Sequence, residues 1–217
     1  MNVLYAIISF IFGKSMETFF QIILLVMSVV VHEVSHGYAA FLLGDPTAKN
    51  QGRLTLNPIR HLDLFGSILI PAFLVITNAG FLFGWAKPVP YNPYNLRNQK
   101  WGEAIVAVAG PASNIFIALV FGLLIRFGAE FLSPAFLNIS AILVLINLML
   151  AVFNLVPIPP LDGSKILFAF LPYHMQRFRM MLEQYGFVVV LIFIFFLSGF
   201  LAPIMSFLFS LITGYAF

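Results

Sequence analysis

The stretch Val31-His32-Glu33-Val34-Ser35-His36-Gly37 lies inside an apolar run from about Thr18 to Leu43 and has the pattern H-E-x-x-H. Imidazole and carboxylate groups are costly in hydrocarbon unless they are paired, bound to metal or open to a wet cavity. On a helix, His32 and His36 project from one face and can bind one zinc ion together. Glu33 can then act as the general base for a water molecule activated by that zinc.

The composition indicates a membrane protein. The chain has 217 residues, of which 61% are hydrophobic and 9% charged, whereas soluble domains carry about 25% charged residues. We therefore expect an all-α polytopic protein, and at about 20 residues per span the apolar runs allow four to six transmembrane helices. Cysteine is absent, so a metal must be bound by His, Asp or Glu. The net charge of +3 gives no reason to expect a nucleic-acid partner.

Long apolar runs define the predicted helices, which cover residues 17–43, 104–126, 139–156 and 185–213. The first of these ends at Gly44-Asp45-Pro46, because glycine favours a helix C-terminus and proline cannot continue it. At the rise of an α-helix, His36 and His32 lie roughly 12 and 18 Å from that end. Both are thus inside a hydrocarbon core about 30 Å thick. The last run, broken near Gly199 and Pro203, is either one kinked helix or two, and residues 3–12 are too few to span unaided.

Basic loops predict the orientation of the chain. Loops 44–63, 86–103 and 161–184 carry most of the lysine and arginine residues, so we expect them on the cytoplasmic side, with H-E-x-x-H nearer that side. Two of these loops flank the apolar stretch 64–85, which contains Thr77-Asn78-Ala79-Gly80. That stretch either enters and leaves on one face as a re-entrant hairpin or crosses the membrane as a kinked span.

Asp162 is the candidate for a third metal ligand. Catalytic zinc usually has three protein ligands and a water molecule. Asp162 follows the proline-broken turn at 157–160, and a non-helical turn at membrane depth is tolerated where it lines a site. Zinc with Asp162 and an ionised Glu33 is close to neutral, which is the least costly state in a low dielectric. The alternative is that Asp162 caps a helix at 163–171.

Three further polar residues have open roles. Asn114 lies in an apolar helix, where its amide could donate to the oxyanion of a tetrahedral intermediate or join two helices by a hydrogen bond. His61 and His174 lie in loops, and we expect both to be solvated.

Three segments resemble, in order, the three signatures of the site-2 protease family of intramembrane zinc metalloproteases. They are His32-Glu33-Val34-Ser35-His36-Gly37, Gly110-Pro111-Ala112-Ser113-Asn114 and Asn154-Leu155-Val156-Pro157-Ile158-Pro159-Pro160-Leu161-Asp162-Gly163. Gly44-Asp45-Pro46-Thr47-Ala48 and Gly84-Trp85-Ala86-Lys87-Pro88-Val89-Pro90 are similar to the compact bacterial branch of that family, which lacks PDZ and CBS domains. The likeness covers about residues 17–170.

The resemblance implies zinc bound by His32, His36 and Asp162, Glu33 as the base, and Asn114 near the scissile bond. It also implies a substrate that is itself a transmembrane protein or peptide. We therefore expect one transmembrane metalloprotease domain over residues 1–217, in the lipid bilayer of a prokaryotic cell membrane, with the oligomeric state left open. The alternatives are a zinc transporter and a catalytically inactive homologue that binds membrane proteins.

Overall fold

The computed structural model describes residues 15–70, 73, 76–77 and 86–216, without the side chains of residues 15–19, 68, 173, 195–198 and 200. Within these residues the chain is helical and contains no strand. The helices are α1 (Ser15–Leu42), α2 (Thr47–Asn50), α3 (Gly102–Gly128), α4 (Pro134–Asn154), α5 (Asp162–Phe170) and α6 (Gln176–Thr213). Short 3₁₀ turns lie at Pro58–His61, Pro93–Asn95 and Tyr173–Met175, and a π-helical turn at Leu64–Leu69.

The long helices confirm an all-α membrane fold. Among the described residues, α1 from Phe20 onward, α3 and α4 are long and apolar enough to cross a membrane, and α6 contains a shorter apolar stretch, Leu201–Thr213. Helix α6 is continuous over 38 residues with Pro203 inside it, so of the two alternatives for the last run the single helix is correct. Residues 3–12 and most of 71–85 lie outside the described residues, and the re-entrant hairpin stays a prediction.

The helix ends differ from the predicted ones for local reasons. Helix α4 begins at Pro134, earlier than residue 139, because the Ser133 side chain accepts a hydrogen bond from the backbone N–H of Phe136 and proline suits the first helical position. Within the predicted basic loop 161–184, the short helix α5 ends at Phe170. Arg177 and Arg179 belong instead to the first turn of α6.

Helix α3 lies at the centre and packs against α1, α4, α5 and α6. One apolar cluster joins α3, α4 and α6 through Ala118, Ile125, Val144, Leu148, Met205 and Phe209. A second joins α1, α3 and the loop before α3 through Ala40, Leu96 and Val106. Along α3, the buried amide of Asn114 lies between Val106 of one cluster and Ala118 of the other. The buried polar groups around Asn114 therefore form a layer between the two apolar clusters.

A buried carboxylate joins the end of α1 to the loop before α3. Asp45, which is 0% exposed, accepts hydrogen bonds from the backbone and hydroxyl of Thr47, the backbone N–H of Asn92 and the amide of Asn95. Burial raises the pKa of this carboxyl, but the four hydrogen bonds lower it by more, so that the pKa lies below its ordinary value. Asp45 thus fixes the register of the two loops that border the site.

We expect Asp45→Asn to lower the free energy of unfolding by about 1.5–3 kcal/mol, because the amide removes charge-assisted hydrogen bonds and turns one acceptor into a donor. Since the folded-state pKa is depressed, the wild-type advantage should be complete above about pH 4 and should shrink as the pH falls through the folded-state pKa. Thermal unfolding in detergent at several pH values measures both effects.

The matched control is Asp63→Asn. Asp63 accepts one hydrogen bond from the backbone N–H of Gly66, at 2.7 Å, in an N-cap position where asparagine serves equally well. An equal loss of stability in both variants would contradict the role assigned to Asp45.

Candidate metal centre and active site

The structure brings together the three predicted metal ligands. His32 and His36 project from α1, and Asp162 is the first residue of α5. The two Nε2 atoms lie 3.1 Å apart, and each lies 3.1–3.2 Å from Oδ2 of Asp162. Among the described residues, this is the one group of three such side chains close enough to share a metal. A triangle of this size suits an ion about 2.0–2.1 Å from each atom, with one face open.

Each imidazole has its other nitrogen held by an acceptor. His32 Nδ1 donates to Oδ1 of Asn114 at 2.6 Å, and His36 Nδ1 donates to the backbone carbonyl of Val106 at 2.7 Å. Because both partners are acceptors, the proton of each neutral ring lies on Nδ1. The Nε2 lone pairs are therefore directed at the shared position, which is the arrangement that zinc-binding histidines require.

Helix α3 leaves room for a metal through a glycine. A Cβ at Gly110 would lie 2.6 Å from Nε2 of His32 and would also collide with Nε2 of His36. The donor chemistry and this space fit the zinc ion predicted from the sequence. His32, His36 and Asp162 are the residues that would bind it.

Asn114 lies behind the metal ligands. It is 0% exposed, and its Nδ2 donates to Oδ1 of Asn147 at 2.8 Å and to the carbonyl of Ser28 at 3.4 Å. Asn147 in turn donates to Oγ of Ser28 at 3.0 Å. These bonds join α1, α3 and α4, as predicted by the alternative in which Asn114 connects helices. The bond from His32 to Asn114 also orients the His32 ring. An oxyanion role for Asn114 stays a prediction, since both ends of its amide are engaged here.

Asp162 is not a helix cap. Helix α5 begins at Asp162 itself, and the capping position is taken by Leu161, which makes no side-chain cap hydrogen bond. The capping alternative for Asp162 is therefore wrong. Its carboxylate contacts the two imidazoles instead.

Glu33 is held by the segment that precedes α3. Its Oε2 accepts a hydrogen bond from the backbone N–H of Val89 at 2.9 Å. Val89 lies between Pro88 and Pro90, which have no N–H, so this segment offers one donor and directs it at Glu33. A residue before proline is restricted to extended conformations. No described residue donates to Oε1 of Glu33, which leaves that oxygen for a substrate or water.

The segment around Val89 crosses α1 closely, and hydrogen bonds from Arg53 hold it in place. A Cβ at Gly37 would lie 2.7 Å from Cγ1 of Val89, which explains the glycine after His36. Arg53 Nη2 donates to the carbonyls of Lys87 and Pro88, at 2.8 and 3.2 Å.

The prediction that His61 is solvated is wrong. His61 is 2% exposed, its Nε2 donates to the carbonyl of Thr55 at 2.8 Å, and its own carbonyl accepts from the N–H of Lys87. It packs under the segment that holds Glu33, a tertiary contact that loop composition does not reveal. His174 is exposed, as predicted.

These groups open onto a cavity of about 190 Å³. Its walls are formed by His32, Glu33, His36, Pro88, Val89, Tyr91, Asn154, Pro160, Asp162 and Lys165. The cavity is thus lined by the metal ligands, the expected base and a lysine. Burial lowers the pKa of the Lys165 ammonium, but contact with Tyr91 and the carboxylates of Asp162 and Glu103 raise it above its ordinary value.

Four residues of this site were not predicted: Asn147, Val89, Tyr91 and Lys165. Asn147 had a usable signal, because an amide inside the apolar run 139–156 needs a buried partner. The sequence signal for Val89 was weaker: it is the single backbone N–H donor between two prolines. The proximity of Tyr91 to Lys165 could not be inferred from the sequence, because it depends on how α5 packs.

We expect Gly110→Ala to abolish stoichiometric zinc binding, because the added methyl group would occupy the space next to both Nε2 atoms. Metal analysis of the purified protein gives the zinc content. Gly199→Ala is the matched control, since nothing lies within 4 Å of a Cβ there, and it should keep its zinc. Full zinc content in Gly110→Ala would contradict the assigned metal position.

Comparisons with known proteins show similarity to metallopeptidases. Residues 128–197 match the model of peptidase family M50. YwhC of Bacillus subtilis, named as a candidate zinc metalloprotease, is 42% identical over 180 residues, which are 80% of this chain and 78% of YwhC. Rip2 of Mycolicibacterium smegmatis, named in the same way, is 32% identical over 76% of this chain and 62% of its own length.

Rip2 of Mycobacterium tuberculosis is 27% identical over 83% of this chain and 66% of its own length. No solved structure gave a significant match. The family match and the similarity to YwhC lead to one conclusion: the chain belongs to peptidase family M50, the site-2 protease family of membrane-embedded zinc metalloproteases.

Proposed function

We propose that this protein hydrolyses peptide bonds within or near transmembrane segments of membrane-protein substrates, with His32, His36 and Asp162 binding one zinc ion and Glu33 acting as general base. The observation that supports this most strongly is the convergence of Asp162 on two histidines of α1, 3.1–3.2 Å away, beside a carboxylate that opens onto the same cavity. When bound, zinc supplies a Lewis acid that polarises a carbonyl and lowers the pKa of water.

The reaction requires one proton transfer that the protein itself can carry out. Glu33 accepts a proton from the attacking water and delivers it to the leaving nitrogen, while a C–O bond forms and the peptide C–N bond breaks. The N–H of Val89 holds Oε2, so the carboxylate keeps one orientation with Oε1 available for the proton. His32 is kept in its ligand tautomer by Asn114. A further role of Asn114 at the scissile bond is part of the proposal.

The substrate must unwind before it can react. A transmembrane helix shields its carbonyls by its own hydrogen bonds, and the cavity of about 190 Å³ accommodates a short stretch of extended chain rather than a helix. Unwinding near the end of a span costs less than at its centre, because water is closer. This favours a site towards one membrane face.

We propose that this face is cytoplasmic and that the membrane is a prokaryotic cell membrane. The loops beside the site carry Arg53, Lys87 and Lys100, and the short helix α5 carries Lys165; basic segments mark the cytoplasmic side. We also propose one catalytic domain with a core over about residues 17–170. Helices α1, α3, α4 and α5, which supply the metal ligands and their supports, all fall within that core.

We expect Glu33→Gln to keep zinc and to lose cleavage by several orders of magnitude, because only the base is removed. Asp162→Ala should lose the zinc as well. Cleavage of a labelled transmembrane peptide in liposomes, together with metal analysis, measures both. Glu183→Gln, which changes an exposed carboxylate on α6 that pairs with Arg179, is the control and should remain active.

Two results would overturn the proposal. Full activity of Glu33→Gln would exclude Glu33 as the base, and undiminished zinc in Asp162→Ala would exclude it as a ligand. Zinc flux across the liposome membrane without peptide cleavage would identify a transporter instead. Among the described residues, the single cluster of ligands argues against transport, which needs several sites along a path.

A further inference from the structure

Lys165 is a cation on the wall of the active-site cavity. It lies three residues after Asp162 on α5, so the two side chains share a helix face. Both line the cavity together with Glu33. The ammonium of Lys165 lies 4.8 Å from the centre of the Tyr91 ring, which holds it by a cation–π contact.

The Lys165 ammonium has no close carboxylate partner among the described residues. Lys165 stands at the end of the first turn of α5, where the helix dipole opposes a positive charge. The side chain is partly buried, and no carboxylate of the described residues lies within 4 Å of its ammonium. Without such an ion pair, the ammonium on the cavity wall is available to a bound anion.

The charge balance of the site indicates which anion. The two positive charges of a zinc ion are offset by Asp162 and an ionised Glu33. Hydrolysis then creates a new carboxylate in the same cavity, while the amine takes up both hydrogens of the consumed water and leaves as an ammonium. An unmatched negative charge in a site of low dielectric is costly. The ammonium of Lys165 supplies the missing positive charge.

We propose that Lys165, held by Tyr91, forms a subsite for a carboxylate beside the metal position, and that its main occupant is the new C-terminal carboxylate of the cleaved substrate. The inference rests on the proposed peptidase function. An acidic side chain of the substrate near the scissile bond has the same chemistry, and the experiment separates the two sources.

The first arm measures product binding without turnover. Two peptides with the sequence of the N-terminal half of the labelled transmembrane peptide, one ending in a free carboxylate and one in a carboxamide, are bound to zinc-loaded protein in detergent. We expect the wild type to prefer the carboxylate, and this preference to fall by about tenfold or more in Lys165→Met, the value of a charge-assisted hydrogen bond. Lys165→Arg, which keeps the charge, should retain the preference.

The controls separate charge from structure. Lys100→Met removes a lysine that also contacts an aromatic ring: the Lys100 ammonium lies 5.3 Å from the centre of the Trp101 ring. Lys100 does not line the cavity. That variant should bind both peptides as the wild type does. Zinc content is measured for every variant, and Lys165→Gln replaces Lys165→Met if the latter folds poorly.

The second arm measures cleavage of two substrates that carry Asp or Asn next to the scissile bond. If the preference for the carboxylate peptide depends on Lys165, the occupant is the C-terminal carboxylate. If only the preference for the Asp substrate over the Asn substrate depends on Lys165, the occupant is an acidic side chain. If Lys165→Met keeps its zinc, and its preference for the carboxylate peptide and for the Asp substrate equals that of the wild type, the subsite is excluded. Because product binding needs no turnover, absence of cleavage by the wild type would count against the proposed function and not against the subsite.

Discussion

The structure depends on the contact of one carboxylate with two imidazoles inside a membrane protein. Asp162 lies 3.1–3.2 Å from His32 and His36 although α5 and α1 are more than a hundred residues apart in sequence. Any of these groups alone would be costly to bury in apolar surroundings. Together they make a compact donor set whose charge a divalent cation compensates. The rest of the fold arranges the helices so that this contact forms.

Two sets of hydrogen bonds support that contact, one on each side. Behind the ligands, Asn114 and Asn147 connect α3 and α4 to His32, with no exposure to solvent. In front, the extended segment around Val89 crosses α1 at Gly37 and orients Glu33. In a metal site, hydrogen bonds from neighbouring groups fix the orientation of the ligands and the base, and those neighbours must be fixed in turn. Asn114 and Asn147 provide this support from within the helix bundle. The segment around Val89 provides it from the loop side.

Much of the fold and the pairing of His32 with His36 could be predicted from the sequence, because both follow from local costs. Apolar runs of span length require a membrane, and His or Glu in such a run requires a partner. The partner contacts were harder to predict. The burial of His61 and the bond from Val89 to Glu33 depend on where a loop crosses a helix, which residue spacing does not encode. Asp162 could be a cap or a ligand from spacing alone, and the direction of its carboxylate in the folded chain excluded the cap.

The central claim is that two imidazoles and one carboxylate bind the zinc ion. X-ray absorption at the zinc edge of the purified wild type tests it most directly, because it reports the atoms around the metal without requiring a substrate. We expect one zinc per chain with two imidazole nitrogens and oxygen ligands at about 2.0–2.1 Å, and a loss of imidazole scattering when His36 is replaced. A spectrum that lacks imidazole scattering, or one that is unchanged in the His36→Ala protein, would contradict it.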